Sequence, residues 1–286
     1  MRSRLSRPRL RLAATALATA VLATAAHGAP GRPAAPRPTE AGVPDASVID
    51  APEVAGGSHA RIETDAGPVH VWTPTGFHAD TAGVVLYVHG YYTDVDAAWA
   101  EHRLGEQFAA SGRNALFIVP EAPRGARPAV NWPSLGALIR TVRARLDMVR
   151  PGGPVIAFGH SGAYRTLISW LDYPALDQLV LLDAMYGEED TFADWLRGSP
   201  ARRMIVIGAD TLRWTESFVE GFPEARVLDR IPDDATLAEI GGPPRGERLV
   251  YVRSQQGHLP IVTAGDLLPL SLRMTGLPAI EPAGRR

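Results

Sequence analysis

The chain of 286 residues contains no cysteine. Disulfides, thiolate nucleophiles and cysteine-ligated metal sites are therefore excluded. Lysine is also absent, and all 29 basic residues are arginine, which with the many Ala, Gly and Pro residues indicates a GC-rich genome rather than a function. The formal net charge is −2, so the chain lacks the positive excess by which proteins attract nucleic acid or anionic lipid, and we expect no nucleic-acid partner.

The composition is that of a globular protein. Apolar residues make up 45% of the chain and charged residues 21%, which is too apolar for a disordered chain and too charged for a membrane bundle. The two ends differ from the rest, and they leave residues 56–280 for the folded part. This stretch of about 225 residues suits a single α/β domain.

The N-terminal 28 residues carry the pattern of an export signal. Residues 1–11 contain five arginines and no acid, and residues 12–26 are uncharged and rich in Ala and Leu. This apolar run is shorter than the roughly 20 residues needed to span a bilayer, and small residues follow at Ala26 and Gly28. We therefore expect a secretory signal peptide over 1–28 and a secreted or extracytoplasmic protein without a membrane anchor after cleavage. An organelle-targeting helix is the alternative.

Residues 29–55 are rich in Pro, Ala and Gly and hold few large apolar residues. Such a segment buries too little surface to offset the entropy of ordering it, so the pattern predicts a flexible linker between the signal peptide and the folded domain.

The order of apolar runs predicts an α/β fold. Residues 61–64 and 69–73 form two short runs across a turn and indicate an antiparallel hairpin. Unbroken apolar runs, typical of strands buried on both faces of a parallel sheet, follow at Val84–Val88, Ala115–Val119, Pro154–Phe158, Leu179–Leu182, Met204–Ile207 and Leu249–Val252. Helical patterns separate them at Val95–Ser111, Ser134–Val149, Ala163–Leu171, Thr191–Leu196 and Trp214–Phe222. We predict a mostly parallel, doubly wound sheet of about eight strands whose functional residues gather at the strands' carboxyl ends.

A serine follows one of these runs in the sequence Gly159-His-Ser-Gly-Ala163, between a predicted strand and a predicted helix. A serine at such a sharp turn needs small residues two positions away on either side, and Gly159 and Ala163 meet that demand. Ser161 is therefore the candidate nucleophile, and the N–H of Gly162 a candidate oxyanion donor. A turn without chemistry is the alternative.

The segment His89-Gly-Tyr-Tyr92 follows the first predicted parallel strand. The second oxyanion donor of an acyl-transfer site usually comes from this loop, which makes the N–H of Tyr91 the candidate. An ordinary strand-to-helix turn is the alternative.

The candidate general base is His258, which follows the last predicted strand. The other seven histidines lie in the signal peptide, the hairpin region, the two motifs or a helix: His27, His59, His70, His78, His89, His102 and His160. A neutral imidazole must accept the serine proton, so activity should fall on the acid side near the unperturbed pKa of about 6.5.

Two aspartates compete for the acid of a Ser-His-Asp triad. Asp183 directly ends one predicted strand and Asp210 follows the next. Asp183 lies directly at the strand end, a more rigid position that favours it as the triad acid. The other aspartate would then cap the following helix. Both stay open at this point.

With these motifs, the chain resembles the α/β-hydrolase superfamily over about residues 60–275, in an order of strands and helices typical of that fold. The resemblance implies a Ser-His-acid triad at Ser161, His258 and one aspartate, more often the one at the position of Asp210. The segment Asp183-Ala-Met-Tyr-Gly187 looks like one seen in uncharacterised secreted bacterial hydrolases. A small cap between Asp183 and Ile207 is implied as well.

We accordingly expect a secreted serine hydrolase that cleaves carboxylic esters of a small molecule or polymer and needs no metal or organic cofactor. Action on amides of peptides or cell-envelope material, and a non-catalytic binding protein on the same fold, are the alternatives. Trp132, before a predicted helix, and Tyr92 are the candidate substrate contacts. The sequence does not indicate an oligomeric state.

Overall fold

The computed structural model describes residues 48–239 and 247–281. The predicted signal peptide and the linker up to residue 47 lie outside this range. Within it, no helix has the length and apolarity needed to cross a membrane.

One mixed sheet runs through the described part of the chain. In the order β1-β2-β3-β5-β4-β6-β7-β8-β10-β9, its strands are β1 (Val48–Val54), β2 (Gly57–Ile62), β3 (Val69–Thr73), β4 (Gly83–Val88), β5 (Ala115–Pro120), β6 (Val155–His160), β7 (Leu176–Leu182), β8 (Arg203–Gly208), β9 (Arg226–Leu228) and β10 (Leu249–Arg253). The three N-terminal strands are antiparallel, and β3 also runs antiparallel to β5. Every pairing from β5 to β9 is parallel, which confirms the predicted doubly wound α/β sheet with an antiparallel start.

Two strands were not predicted. β1 pairs with β2 although it falls in the segment predicted as linker, so the linker prediction over 29–55 is wrong from Val48 onward. The sequence of β1 contains no apolar run, because Asp50, Pro52 and Glu53 interrupt it. β9 is only three residues long, too short to form a pattern. These two strands bring the sheet to ten strands instead of about eight.

Helices cover both faces of the sheet. They are α1 (Val95–Glu101), α2 (Leu104–Ser111), α3 (Leu135–Leu146), α4 (Tyr164–Ser169), α5 (Glu189–Arg197), α6 (Leu212–Glu220), α7 (Asp234–Glu239), α8 (Pro260–Thr263) and α9 (Leu267–Arg273). The helix predicted over 95–111 is divided in two, because Arg103 adopts a left-handed conformation with φ of 47°. The segment predicted to hold a small cap, between β7 and β8, contains α5.

The core has two layers, one on each side of the sheet. Along β4, Val84, Leu86 and Val88 pack into one layer, and Val85 and Tyr87 into the other. Successive side chains of a strand point to opposite faces, and both faces here are covered, so the sequence of the strand is apolar throughout.

The sheet has a switch point at neighbouring strands β4 and β6. The chain passes from β4 outward to β5 and then returns to β6 on the other side of β4. The loops after β4 and β6 therefore diverge and leave a crevice at their carboxyl ends, where α/β sheets bind their ligands.

Candidate active site

Ser161 lies at the carboxyl end of β6, in a tight turn that leads into α4. Its φ is 56°, in the left-handed region, which for a non-glycine residue is strained and typical of a functional turn. A β-carbon on Gly159 would lie 2.6 Å from Leu167 Cδ1 and 3.1 Å from Ala163 Cβ. The small residues predicted around the serine are thus required by the close packing of strand and helix.

His258 lies between β10 and α8, within reach of this turn. Its Nε2 accepts a hydrogen bond from Ser161 Oγ at 2.9 Å. Its Nδ1 is 2.6 Å from Asp183 Oδ2, and because an ionised carboxylate only accepts, Nδ1 carries the proton and Nε2 is the free base. The side chains of Ser161, His258 and Asp183 therefore form one continuous hydrogen-bonded series.

Asp183 follows β7 directly and is fully buried. Besides His258, its carboxylate accepts hydrogen bonds from the loop after β8: the N–H groups of Ala209, Asp210 and Thr211 and the Thr211 hydroxyl, at 2.7–3.1 Å. Burial alone raises the pKa of this carboxyl, but the bonds from His258 and Thr211 outweigh it and hold the pKa well below its usual range. The group is therefore a fixed negative charge beside the imidazole.

Asp210 has a different environment. Its side chain is exposed, and α6 begins after Thr211 without a side-chain cap, so the prediction that the second aspartate caps this helix is wrong. Its backbone N–H instead donates to Asp183. An oxygen of Asp210, one of Asp183 and a ring nitrogen of His258 lie within 4.8 Å of one another, so a second negative charge stands near the imidazole.

This triplet of Asp183, Asp210 and His258 is also a possible set of metal ligands by distance. Both ring nitrogens of His258 are already engaged, one with Ser161 and the other with Asp183. Hydrogen bonds thus account for the approach of Asp183 and His258, and the backbone N–H of Asp210, which donates to Asp183, keeps Asp210 beside them.

The charge on His258 depends on both acids. Its pKa is raised above the usual 6.5, first by the hydrogen bond to Asp183 and further by the charges of Asp183 and Asp210, against the opposing effect of burial. The imidazolium form is thus stabilised, as proton transfer from a serine requires.

Gly90 brings the loop after β4 against the serine turn. A β-carbon on Gly90 would lie 2.8 Å from Ser161 Cβ, so only glycine permits this approach. His89 fixes the loop, since its Nδ1–H donates to the Gly90 carbonyl at 2.8 Å and its Nε2 accepts from the Ala122 N–H at 3.1 Å.

The predicted oxyanion donors, Tyr91 and Gly162, face each other. A β-carbon on Gly162 would lie 2.5 Å from the Tyr91 ring, so the ring lies directly on the first residue of the turn after Ser161. The Tyr91 N–H has no acceptor among the described residues, and the Gly162 N–H is one of the first donors of a helical turn, which lack partners within it. Neither N–H group is thus engaged by an acceptor in the part of the chain that the structure describes.

A cleft of about 670 Å³ opens over Ser161 and His258. It is lined by four tyrosines, Tyr91, Tyr92, Tyr164 and Tyr186, together with Leu259 and others. Tyr92, a predicted substrate contact, is one of these lining residues and is 92% exposed. The prediction that Trp132 contacts the substrate is wrong. Trp132 is 8% exposed and packs in the core, where its carbonyl accepts a hydrogen bond from the Trp170 indole N–H.

Two contributions to the site had no clear signal in the sequence. Thr211, which donates twice to Asp183, follows Asp210 in a loop that carries no motif. Tyr186 places its hydroxyl 3.5 Å from His258 Nδ1, and burial together with the nearby Asp183 raises its pKa. Its place in the segment Asp183-Ala-Met-Tyr-Gly187, which looks like one seen in secreted hydrolases, gave only a general indication.

No protein-family model matches the chain, and no curated protein matches it. Similar solved structures include an S-formylglutathione hydrolase from Agrobacterium tumefaciens, 14% identical, covering 80% of this chain and 99% of its own, with a TM-score of 0.44. The feruloyl esterase module from Clostridium thermocellum is 10% identical over 78% of this chain and 93% of its own, with a TM-score of 0.49. A carboxylesterase cloned from a metagenomic library is 15% identical over 81% and 89%, with a TM-score of 0.44.

Similarities at these identities and TM-scores do not assign a fold, so we assign it from the topology of the chain itself. The mostly parallel sheet, its crossover between β4 and β6, and a serine on a strained turn between strand and helix are the defining features of one architecture. The chain has the α/β-hydrolase fold.

Proposed function

We propose that the protein is a serine hydrolase that cleaves carboxylic esters through an acyl-enzyme. The observation that carries this proposal is the series of hydrogen bonds from Ser161 through His258 to the buried Asp183, at 2.9 and 2.6 Å. Ser161 would be the nucleophile, His258 the general base and acid, and Asp183 the group that orients the imidazole and stabilises its charged form.

In this mechanism, His258 Nε2 takes the proton of Ser161 as Oγ bonds to the ester carbonyl carbon. The carbonyl oxygen becomes an oxyanion, which the N–H groups of Tyr91 and Gly162 would stabilise. His258 then gives its proton to the leaving alcohol oxygen, the ester bond breaks and an acyl-serine remains. A water molecule, deprotonated by His258, attacks the acyl-serine, and its proton returns to Ser161 as the acid is released.

The lining of the cleft favours an uncharged substrate with an apolar or aromatic part. Its four tyrosines offer ring faces and hydroxyl groups, and Tyr92 and the 56% exposed Leu259 present apolar surface at the opening. The lining residues include the acidic Glu101 and no arginine, so a negatively charged acyl group would meet a negative charge and no guanidinium partner there.

The experiment that tests this function combines covalent labelling with a substrate panel. Purified protein should react with a fluorophosphonate probe and hydrolyse neutral aryl esters faster than matched aryl amides. A preference for amides would point to the peptidase or amidase alternative. Absence of both labelling and hydrolysis would leave the non-catalytic binding protein.

We also propose that the protein is exported. The support is in the sequence: five arginines, then 15 uncharged residues, then small residues at Ala26 and Gly28. N-terminal sequencing of protein collected from the culture medium or cell envelope should begin near Ala29, and a chain that still begins at Met1 would contradict export.

A further inference from the structure

His160 immediately precedes Ser161 and contacts His258 directly. Its Nε2 lies 3.0 Å from the carbonyl oxygen of His258, and the centroids of the two imidazole rings are 4.6 Å apart at an angle of 34°. The side chain is 4% exposed. One buried residue thus joins the turn that carries the serine to the loop that carries the imidazole.

The carbonyl of His258 depends on this side chain for a partner. The neighbouring carbonyls of Gly257 and Leu259 accept hydrogen bonds from backbone N–H groups at the start of α8. The His258 carbonyl accepts from His160 instead. A partly buried carbonyl that loses its donor is destabilised, so removing the donor at position 160 would release this point of the loop.

The charge state of His160 suits the task. Burial, and then the nearby His258, lower the pKa of His160 to about 3, so the ring is neutral wherever the base at position 258 can work. Because a carbonyl only accepts, the single ring proton must lie on Nε2. A neutral donor also avoids placing a second positive charge beside the imidazolium that forms at His258 during the reaction.

The side-chain hydrogen bonds that join Gln255 and Gln256 to neighbouring segments are exposed. Gln256 donates to the Asp266 carboxylate at 2.8–2.9 Å, and Gln255 donates to the Asp229 carbonyl at 2.8 Å, both at the surface. Exposed polar contacts contribute little and compete with water. The bond from His160 comes from a buried side chain and is itself partly buried, and it acts on the residue that must stay within 2.9 Å of Ser161.

We infer that His160 is a positioning residue, whose Nε2–H holds the backbone of His258 so that the imidazole stays at hydrogen-bond distance from Ser161. This inference rests on the proposed function and adds a residue to it that does not touch the reacting atoms. A displacement of about 1 Å in a catalytic group can cost 10²-fold in rate. Because His160 acts on the position of the base and not on the substrate, the loss should appear in kcat rather than in KM.

The test compares His160→Gln, His160→Met and His160→Asn. Gln places an amide N–H near the position of Nε2, Met has a similar length without a donor, and Asn has a donor that is too short to reach. We expect Gln to keep kcat within about threefold, and Met and Asn to lower it tenfold or more, up to the scale given for such displacements. KM for a neutral ester should stay within about twofold in all three.

Rates are expressed per fluorophosphonate-labelled site, so that unfolded protein does not enter kcat, and melting is followed by circular dichroism. Ser271→Ala is the control, because it removes a buried bond from Ser271 Oγ to the Leu267 carbonyl within α9, a helix that does not line the cleft. It should lower the melting temperature and leave kcat unchanged. Equal rates in the Gln, Met and Asn variants, whether all intact or all reduced, would overturn the positioning role. A wild-type protein that neither labels nor hydrolyses esters would contradict the proposed function itself.

Discussion

The two aspartates near His258 differ at the level of single hydrogen bonds. The carboxylate of Asp183 accepts four bonds from residues 209–211 in addition to the one from His258. The Asp210 carboxylate is exposed and makes no hydrogen bond among the described residues. The first group can hold the imidazole in one orientation and tautomer, whereas the second acts on it only through its charge.

Asp183→Asn should therefore lower turnover by about 10⁴-fold, the scale known for the aspartate of Ser-His-Asp enzymes, while Asp210→Asn stays within a few-fold of wild type. In Asp183→Asn, the side-chain NH₂ group would also face the N–H and O–H donors of residues 209–211. This variant should therefore melt at a lower temperature than wild type. Ester hydrolysis per folded molecule, with circular dichroism as the control for folding, checks the pair. An inactive Asp210→Asn beside an active Asp183→Asn would reverse the assignment.

The same two charges set the pH dependence. Because Asp183 first, and Asp210 in addition, raise the pKa of His258, the imidazole is protonated and inactive up to a pH above its unperturbed value of about 6.5. The acid limb of kcat/KM should therefore have its midpoint above pH 6.5, higher than the sequence suggested. Asp210→Asn should move the midpoint to lower pH. A profile that is flat from pH 5 to pH 9 would exclude a histidine base.

At the scale of elements, the approach of the loop after β4 to the serine turn depends on Gly90. Gly90→Ala would place a methyl group 2.8 Å from Ser161 Cβ and 3.3 Å from the His160 carbonyl oxygen, so the loop must move and the Tyr91 N–H moves with it. Loss of one oxyanion donor typically costs 10²–10³-fold in kcat, and we expect a loss of about 10²-fold here. Gly276→Ala is the matched control, since no atom lies within 4 Å of its added carbon. Equal kcat in the two variants would contradict this role of the loop.

The elements that could be predicted from the sequence are those with an unbroken apolar run or a motif. All six buried parallel strands with such runs were found, because both faces of each are covered, and so were the serine turn and the loops that carry Tyr91 and His258. β1 was missed because only its pairing with β2 makes it a strand. β9 and the short helices α7 and α8 were missed because each is too short to give a periodic pattern, and α9 was missed because Leu267 to Leu272 are all buried and show no polar face.

The proposed assignments that the sequence left open depend on tertiary contacts. The choice of Asp183 over Asp210 depends on the donors of residues 209–211, which come from a different strand end. Trp132 was misplaced because an aromatic side chain before a helix can point toward the cleft or the core, and the sequence pattern does not distinguish these. The contact of His160 with His258 joins residues 98 positions apart, a distance that no local pattern spans.

For the whole molecule, the buried histidines predict sensitivity to acid. Burial lowers the pKa of His59 and of His102 to about 4 and that of His160 to about 3. These rings are neutral in the folded protein and become protonated on unfolding below about pH 6.5. The free energy of unfolding should therefore be highest above pH 6.5 and fall as the pH decreases toward 4.

Urea unfolding at several pH values measures this slope, and His59 offers a specific variant. His59 stacks on Trp99 at 4.2 Å and shares a 2.9 Å hydrogen bond with His70. His59→Gln removes one proton taken up on unfolding, which should reduce the slope by up to about 1.4 kcal/mol per pH unit between pH 6 and 4. His78→Asn, at an exposed histidine, is the control. An unchanged slope in His59→Gln would show that this ring is not protected from protonation.

Fluorophosphonate labelling of wild-type protein and of Ser161→Ala, with ester hydrolysis measured on the same samples, tests directly whether Ser161 is the nucleophile. The wild type should bind one probe molecule per chain, at Ser161 by peptide mapping, and lose its esterase activity in proportion to labelling. Ser161→Ala should be folded and unlabelled, and its turnover should fall by several orders of magnitude because the triad acts as a unit. A Ser161→Ala variant that is still labelled, or that keeps more than a tenth of wild-type hydrolysis, would contradict the account.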